Sequence, residues 1–195
     1  MKKIVALVLA LALCFALASC KNGKGGSVNI DEFKNAIAAT VLDSAKIEVT
    51  QVNDLLPETP LTAVYDIDYE DDGSATVDFT YTLYNELGAE NITSTHTGSA
   101  RIAPDGTVTG DSVGANVTSV ASVSFNLDQK KMSSCTASMG ILTAKIPAAN
   151  TASVLGVEIG ADVVLTISIS GGVVAASTVS YTVNGIYHTI ECTYN

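Results

Sequence analysis

Three observations predict a mainly β protein, bordering on α+β. Alternation of period two runs through most of the chain, glycine-bearing turns separate the alternating runs, and one amphipathic helix precedes them. The expected architecture is that N-terminal helix packed on roughly ten antiparallel strands joined by hairpins, as a sandwich or a curved half-barrel.

The helix is expected over residues Ile30 to Ala45. Asp31 stands where a cap is needed, and Glu32 adds negative charge to the first turn. Phe33, Ile37, Val41 and Ala45 recur every four residues, with Ala38 and Leu42 beside them. Such a stripe needs burial. Its polar face is not basic enough for a membrane-surface helix, so packing on a sheet is expected.

The strands follow. Tyr65, Ile67 and Tyr69 alternate with Asp66, Asp68 and Glu70; Ala75, Val77, Phe79, Tyr81 and Leu83 alternate with polar residues. Asp71-Asp72-Gly73 between them reads as a hairpin turn, and Pro104-Asp105-Gly106 as another. Val117, Ser119, Ala121, Val123, Phe125 and Leu127 line one face of a further strand. At the C-terminal end Gly171-Gly172 and Asn184-Gly185 separate VLTISIS, VVAASTVSYTV and IYHTIECTY. Both pairs supply the positive φ that two-residue hairpins require. The segment PAANTASVLGVEIG, Pro147 to Gly160, fits a crossover, a short helix or a seam between halves, and the three stay open.

The first twenty residues are of another kind. Lys2 and Lys3 precede an uncharged run from Ile4 to Ala18. That run is shorter than the roughly 20 residues of a membrane span and fits the core of a signal peptide. Leu17-Ala18-Ser19-Cys20 at its end resembles the lipobox of bacterial lipoproteins. The resemblance implies removal of residues 1–19 and a diacylglyceryl group on the Cys20 thiol. Cys14 follows the bulky Leu13 and is expected to leave with the signal. The alternative is an ordinary signal peptidase cutting after Ala16-Leu17-Ala18, which leaves a soluble protein.

Residues 20–28 are then the lipidated cysteine and a Gly-rich tether, and residues 29–195 a single β-rich domain. An anchor, an amphipathic helix and an antiparallel meander in that order are also similar to the lipid-carrying half-barrel lipoproteins of bacterial envelopes. Those folds usually have more helices. The likeness implies an apolar cavity between helix and sheet, lined here by Phe33, Ile37, Phe79, Tyr81 and Ile167.

The mature chain holds 8 basic against 20 acidic residues, a balance of −12. It repels nucleic-acid phosphates, so no nucleic acid is expected as partner. Outside the cytoplasm Cys135 and Cys192 have the chance to form a disulfide, or stay reduced. Asp68, Glu70 and Asp72 before Gly73 echo the first half of a calcium loop. Position twelve of that loop is Phe79 instead of Glu, so only weak calcium binding is at issue, against a plain solvated strand end. The two histidines, His96 and His188, stand in no catalytic motif, and no nucleophile elbow, phosphate loop or zinc motif occurs. Asn91-Ile92-Thr93 and Asn116-Val117-Thr118 match glycosylation sequons by chance in so Thr-rich a chain.

The expectation is a non-catalytic binding or surface module without a cofactor. It is held by its lipid on the cell membrane or outer membrane and faces away from the cytoplasm. A carrier of an apolar ligand is the second reading, and a hydrolase the third.

Overall fold

A computed structural model describes residues 29–86, 90–105, 107–111 and 125–195. The expected signal peptide, lipobox and tether, Gly106, the second sequon and positions 117–123 of the expected strand lie outside them.

The described chain is mostly β, with ten antiparallel strands in one open sheet and two short helices. Helix α1 spans Asp31–Ala39. Strands β1 (Ser44–Asn53), β2 (Leu61–Tyr69), β3 (Ala75–Tyr84), β4 (Thr93–Ile102) and β5 (Val108–Gly110) follow. Then come β6 (Ser134–Ser138), β7 (Ile141–Ile146), helix α2 (Thr151–Leu155), β8 (Val163–Ser170), β9 (Val173–Val183) and β10 (Ile186–Tyr194). The strand order is β5-β4-β3-β2-β1-β10-β9-β8-β7-β6. One half is a meander of β1 to β5, the other a meander of β6 to β10, and the pairing of β1 with β10 makes them one sheet. Of the two expected architectures, the sandwich is excluded, because all ten strands share one sheet.

The helix is shorter than expected. Thr40 ends it: its N–H donates to the Ala36 carbonyl, and its hydroxyl donates to the same carbonyl and accepts from Val174 N–H at 2.9 Å. Val41 therefore leaves the apolar stripe and is 83% exposed, while Ala45 is buried from a strand. The segment SAKIEVTQVN alternates Ala45, Ile47 and Val49 with Lys46, Glu48 and Thr50, and forms the central strand β1.

The core lies on the helix side of the sheet. Ile47, Ile67, Val77, Leu142, Ala144, Ile146, Leu165 and Ile167 alternate inward and are essentially inaccessible. Helix α1 crosses β8 and β9, with Phe33 and Ala36 turned into that core. A register shift between Ser168 and Ile169 turns Val174 inward as well. The open segment Pro147–Gly160 contains a short 3₁₀ turn and α2, which ends on Gly156 at φ +76°. It links the neighbouring strands β7 and β8, so it is no crossover between sheets. Phe125 and Leu127 are buried, but in irregular chain outside the described strands.

The hairpins follow the expected turn chemistry. Gly73 has φ +80°, Gly171 and Gly172 have +62° and +86°, and Asn184 and Gly185 have +52° and +74°. A further hairpin joins β6 to β7 through Met139 and Gly140 at +52° and +74°, the same pair of angles as Asn184-Gly185. Met is uncommon at positive φ, so no turn signal marked it in the sequence.

The outward face is rich in Thr and Ser. One row runs Thr136, Thr143, Thr166, Thr178, Glu191, Glu48, Val64, Thr80 and Thr97 across nine strands. Glu191 and Glu48 are directly opposite. Lys46 Nζ reaches Glu48 Oε1 at 3.0 Å, and burial, then Glu48, pushes the Glu191 carboxyl up. A carboxylate raised by folding destabilises the fold once pH exceeds its unfolded value, near 4.5, and does so fully above its folded value. Like charges opposite one another cost about 0.2–1 kcal/mol. Glu191→Gln is therefore expected to raise stability by that order at pH 7. Urea titrations at pH 4 and pH 7 check it, since the gain must fade at the lower pH.

Candidate functional site

The helix side of the sheet differs from end to end. Where β1 begins and β2 ends, the inward Ala45, Ile47 and Ile67 are fully covered and Tyr69 is half-buried. Toward the other end of β2, β3 and β4 inward residues become aromatic and half-exposed. Tyr65 on β2 and Phe79 on β3 are directly paired, with ring centroids 5.8 Å apart. Phe79 stacks on Tyr81 at 6.0 Å, and Tyr81 on His96 of β4 at 5.3 Å. Phe79 is buried; Tyr65 and Tyr81 are half-buried, and His96 is exposed. The four rings form a continuous strip that rises from the core to the surface.

A second stack lies across the same face. Tyr181 of β9 and His188 of β10 are paired, 4.6 Å apart and inclined by only 10°. Burial lowers the His188 pKa, so this imidazole stays neutral more readily than a free one. Ala63 and Val49 continue the row from Tyr81, and Gln51 pairs with His188. Three strand spacings, about 14 Å, separate β3 from β10. The result is an open surface with aromatic edges and a small, mostly apolar floor, in which the phenol and imidazole groups supply polar contacts.

Gly98 makes room for the strip. It sits opposite Phe79, and a Cβ there would lie 2.6 Å from the ring's Cζ and 2.9 Å from Asp111 Oδ2. The ring covers a strand glycine, which otherwise weakens a sheet. Gly98→Ala is expected to displace Phe79 and cost about 1–3 kcal/mol, as overpacked sites do. Thermal denaturation with near-ultraviolet dichroism of the tyrosines measures both effects.

The five residues expected to line a pocket are not brought together. Phe33 (2% exposed) and Ile167 (0%) fill the junction between α1 and the sheet, with Ile37 packed against them. Phe79 and Tyr81 belong to the other half; β3 and β8 are five spacings apart, about 24 Å. Roofing both groups would take a longer helix: at nine residues α1 packs mainly on β9 and β8. A shallow depression of about 270 Å³ lies instead around Val64, Asp66, Asp78, Thr80, Thr97 and the Phe79–Gly98 pair. It falls below the roughly 300–1,000 Å³ of ligand pockets.

No disulfide joins Cys135 and Cys192. Both face the helix side, but β6 and β10 are four spacings apart, about 19 Å. Burial raises both thiols, Cys192 to about 11, which makes them poor nucleophiles. Beside Cys192, Ser177 and Tyr194 share a hydrogen bond of 2.8 Å, and burial pushes Tyr69 up to about 12.

Asp68, Glu70 and Asp72 do not converge on a cation. Among the described residues no three His, Cys, Asp or Glu side chains could hold a metal ion together. Asp72 instead accepts from Ser74 N–H at 2.8 Å and lies 3.7 Å from Arg101 Nη2, which donates to Ser74 Oγ at 2.7 Å. These bonds hold its carboxyl below the usual range and brace the turn.

Ser94 Oγ lies 3.0 Å from His96 Nε2, the spacing of a nucleophile and its base. The pair stands on an exposed strand two residues apart. Among the described residues no carboxylate orients the other ring nitrogen by a hydrogen bond, as a working triad requires.

No family model and no curated protein matches the chain. Among solved structures it is similar to LprF from Mycobacterium bovis, with a TM-score of 0.43 and 12% identity over 87% of this chain and 94% of that one. No described helix is long and apolar enough to cross a membrane.

Proposed function

We propose that the protein is an exported lipoprotein, held on a cell membrane or outer membrane by acyl chains on Cys20, and that its sheet is a non-catalytic binding module. The observation that carries the binding role is the strip of Tyr65, Phe79, Tyr81 and His96, left half-open on the helix side. Aromatic rings at a surface accept a ligand with a flat or apolar face, while phenol and imidazole groups take its polar edge. The filled junction under α1 counts against a ligand buried between helix and sheet. An apolar ligand would lie along the open strip instead.

The neutral dye Nile red tests the site on the Cys20→Ala chain, which carries no lipid of its own. Its fluorescence is expected to rise on binding, and Tyr81→Ala with His96→Ala should weaken the binding several-fold. Thr80→Ala, on the opposite face, should leave it unchanged. Equal binding by all three variants contradicts the assignment.

A further inference from the structure

Two hairpin turns and the residues that follow α1 form an apolar tip at the end of the sheet where β1 and β9 start, with Asp43 at its margin. The β6–β7 turn lies beside β8, where Ile169 N–H donates to the Gly140 carbonyl at 2.9 Å. Ser170 pairs with Val173 across the β8–β9 turn. Val174 N–H in turn donates to Thr40 Oγ, which places Val41 alongside. Val41 is exposed, Met139 is 91% exposed, and Ile141 and Val173 are exposed between them. No Asp, Glu, Lys or Arg occurs in residues 35–42, 132–144 or 163–187, within a chain of net charge −10. Met139 also holds φ +52°, where Asn184 stands in the matching hairpin. Asn or Gly suits that conformation better, so the exposed Met is a local cost without a folding return.

We infer that this tip rests in the membrane surface, with Val41, Met139, Ile141 and Val173 against the acyl chains. The inference rests on the anchored reading above. Residues 20–28 give the tether an extended reach of about 30 Å. Helix α1, which separates its end from the tip, is about 14 Å long. The anchor therefore keeps the tip within reach of the bilayer. Burying apolar side chains in the boundary of headgroups and chains is favourable where no charge is carried in with them.

The opposite end of the sheet lacks that property. Leu55, Leu56, Leu83, Ile92 and Tyr187 are exposed there, but Asp54, Glu58, Glu86 and Glu90 stand among them. Asp43, two residues after Val41, is the carboxylate at the margin of the tip. The acidic Asp71-Asp72 turn shares that end of the sheet, three spacings or about 14 Å from β9.

The chain contains no Trp, so single-tryptophan variants report without background. Val41→Trp and Leu55→Trp are made in the full lipidated protein and reconstituted into phosphatidylcholine vesicles with brominated acyl chains. Val41→Trp is expected to shift to the blue and be quenched several-fold relative to unbrominated vesicles. Leu55→Trp should keep solvent-like emission without quenching. Quenching at Leu55→Trp alone, or none at Val41→Trp, overturns the inference. So does a blue shift at Val41→Trp that depends on protein concentration and not on bromine, since a second copy then covers the tip. Fractionation of the Cys20→Ala chain reports on the anchor separately: its retention in membranes overturns the anchor, not the lipid contact at the tip.

Discussion

Phe33→Ala is expected to remove about 3–5 kcal/mol of stability, the range for truncating a buried aromatic residue. In a domain of this size that lowers Tm by about 10 °C. The loss concentrates on α1 for a physical reason. A nine-residue helix is marginal alone, and α1 has no side-chain cap from Ile30. Its order depends on Phe33 and Ala36 entering the core over β8 and β9. Hydrogen exchange should therefore show α1 losing protection first, while β1, β2 and β10 keep theirs. Uniform loss of protection across the sheet would mean that α1 is integral to the sheet's own folding.

Cys20→Ala carries the largest expected effect on location. Each buried CH₂ of an acyl chain contributes about 0.8 kcal/mol, and stable anchoring takes two chains. Without the thiol no thioether forms, and the exported domain should appear almost wholly in the soluble fraction. Cys135→Ser and Cys192→Ser should leave fractionation unchanged, because both thiols lie within the sheet, far along the chain from the signal. Membrane retention of the Cys20→Ala chain contradicts the anchor.

Much of the sheet was legible because hairpins announce themselves locally. Asp71-Asp72-Gly73, Gly171-Gly172 and Asn184-Gly185 specify turns through backbone conformations that few residues adopt. The β6–β7 hairpin was not legible, since Met139 adopts a positive φ without being a residue that favours it. The helix was overrun because Val41 and Ala45 extend the four-residue spacing beyond Thr40. That same overrun hid β1, although Ala45, Ile47 and Val49 also alternate at period two. Two periodicities fit the same residues, and pairing with β10, about 140 positions away, decides between them. Long-range pairing of that kind leaves no local mark.

The site was legible in its residues and not in its grouping. Phe79 and Tyr81 carried an inward pattern, but their neighbours are fixed by register. Tyr65, His96 and Gly98 come beside them only when β2, β3 and β4 are aligned. Phe33 and Ile167 looked equally eligible as lining, and strand order places them on the other half of the sheet. The Tyr181–His188 stack likewise follows from the β9–β10 turn, which sets those two residues opposite each other.

The open aromatic strip, and not the helix junction, is the proposed place of the ligand. Photocrosslinking in living cells tests it most directly, with benzoylphenylalanine replacing Tyr81, Ile37 or Thr80 in turn. A ligand adduct, seen as a discrete mass increase, is expected at position 81 and none at 37 or 80. An adduct at position 37 without one at 81 would contradict it and return the ligand to the space between helix and sheet.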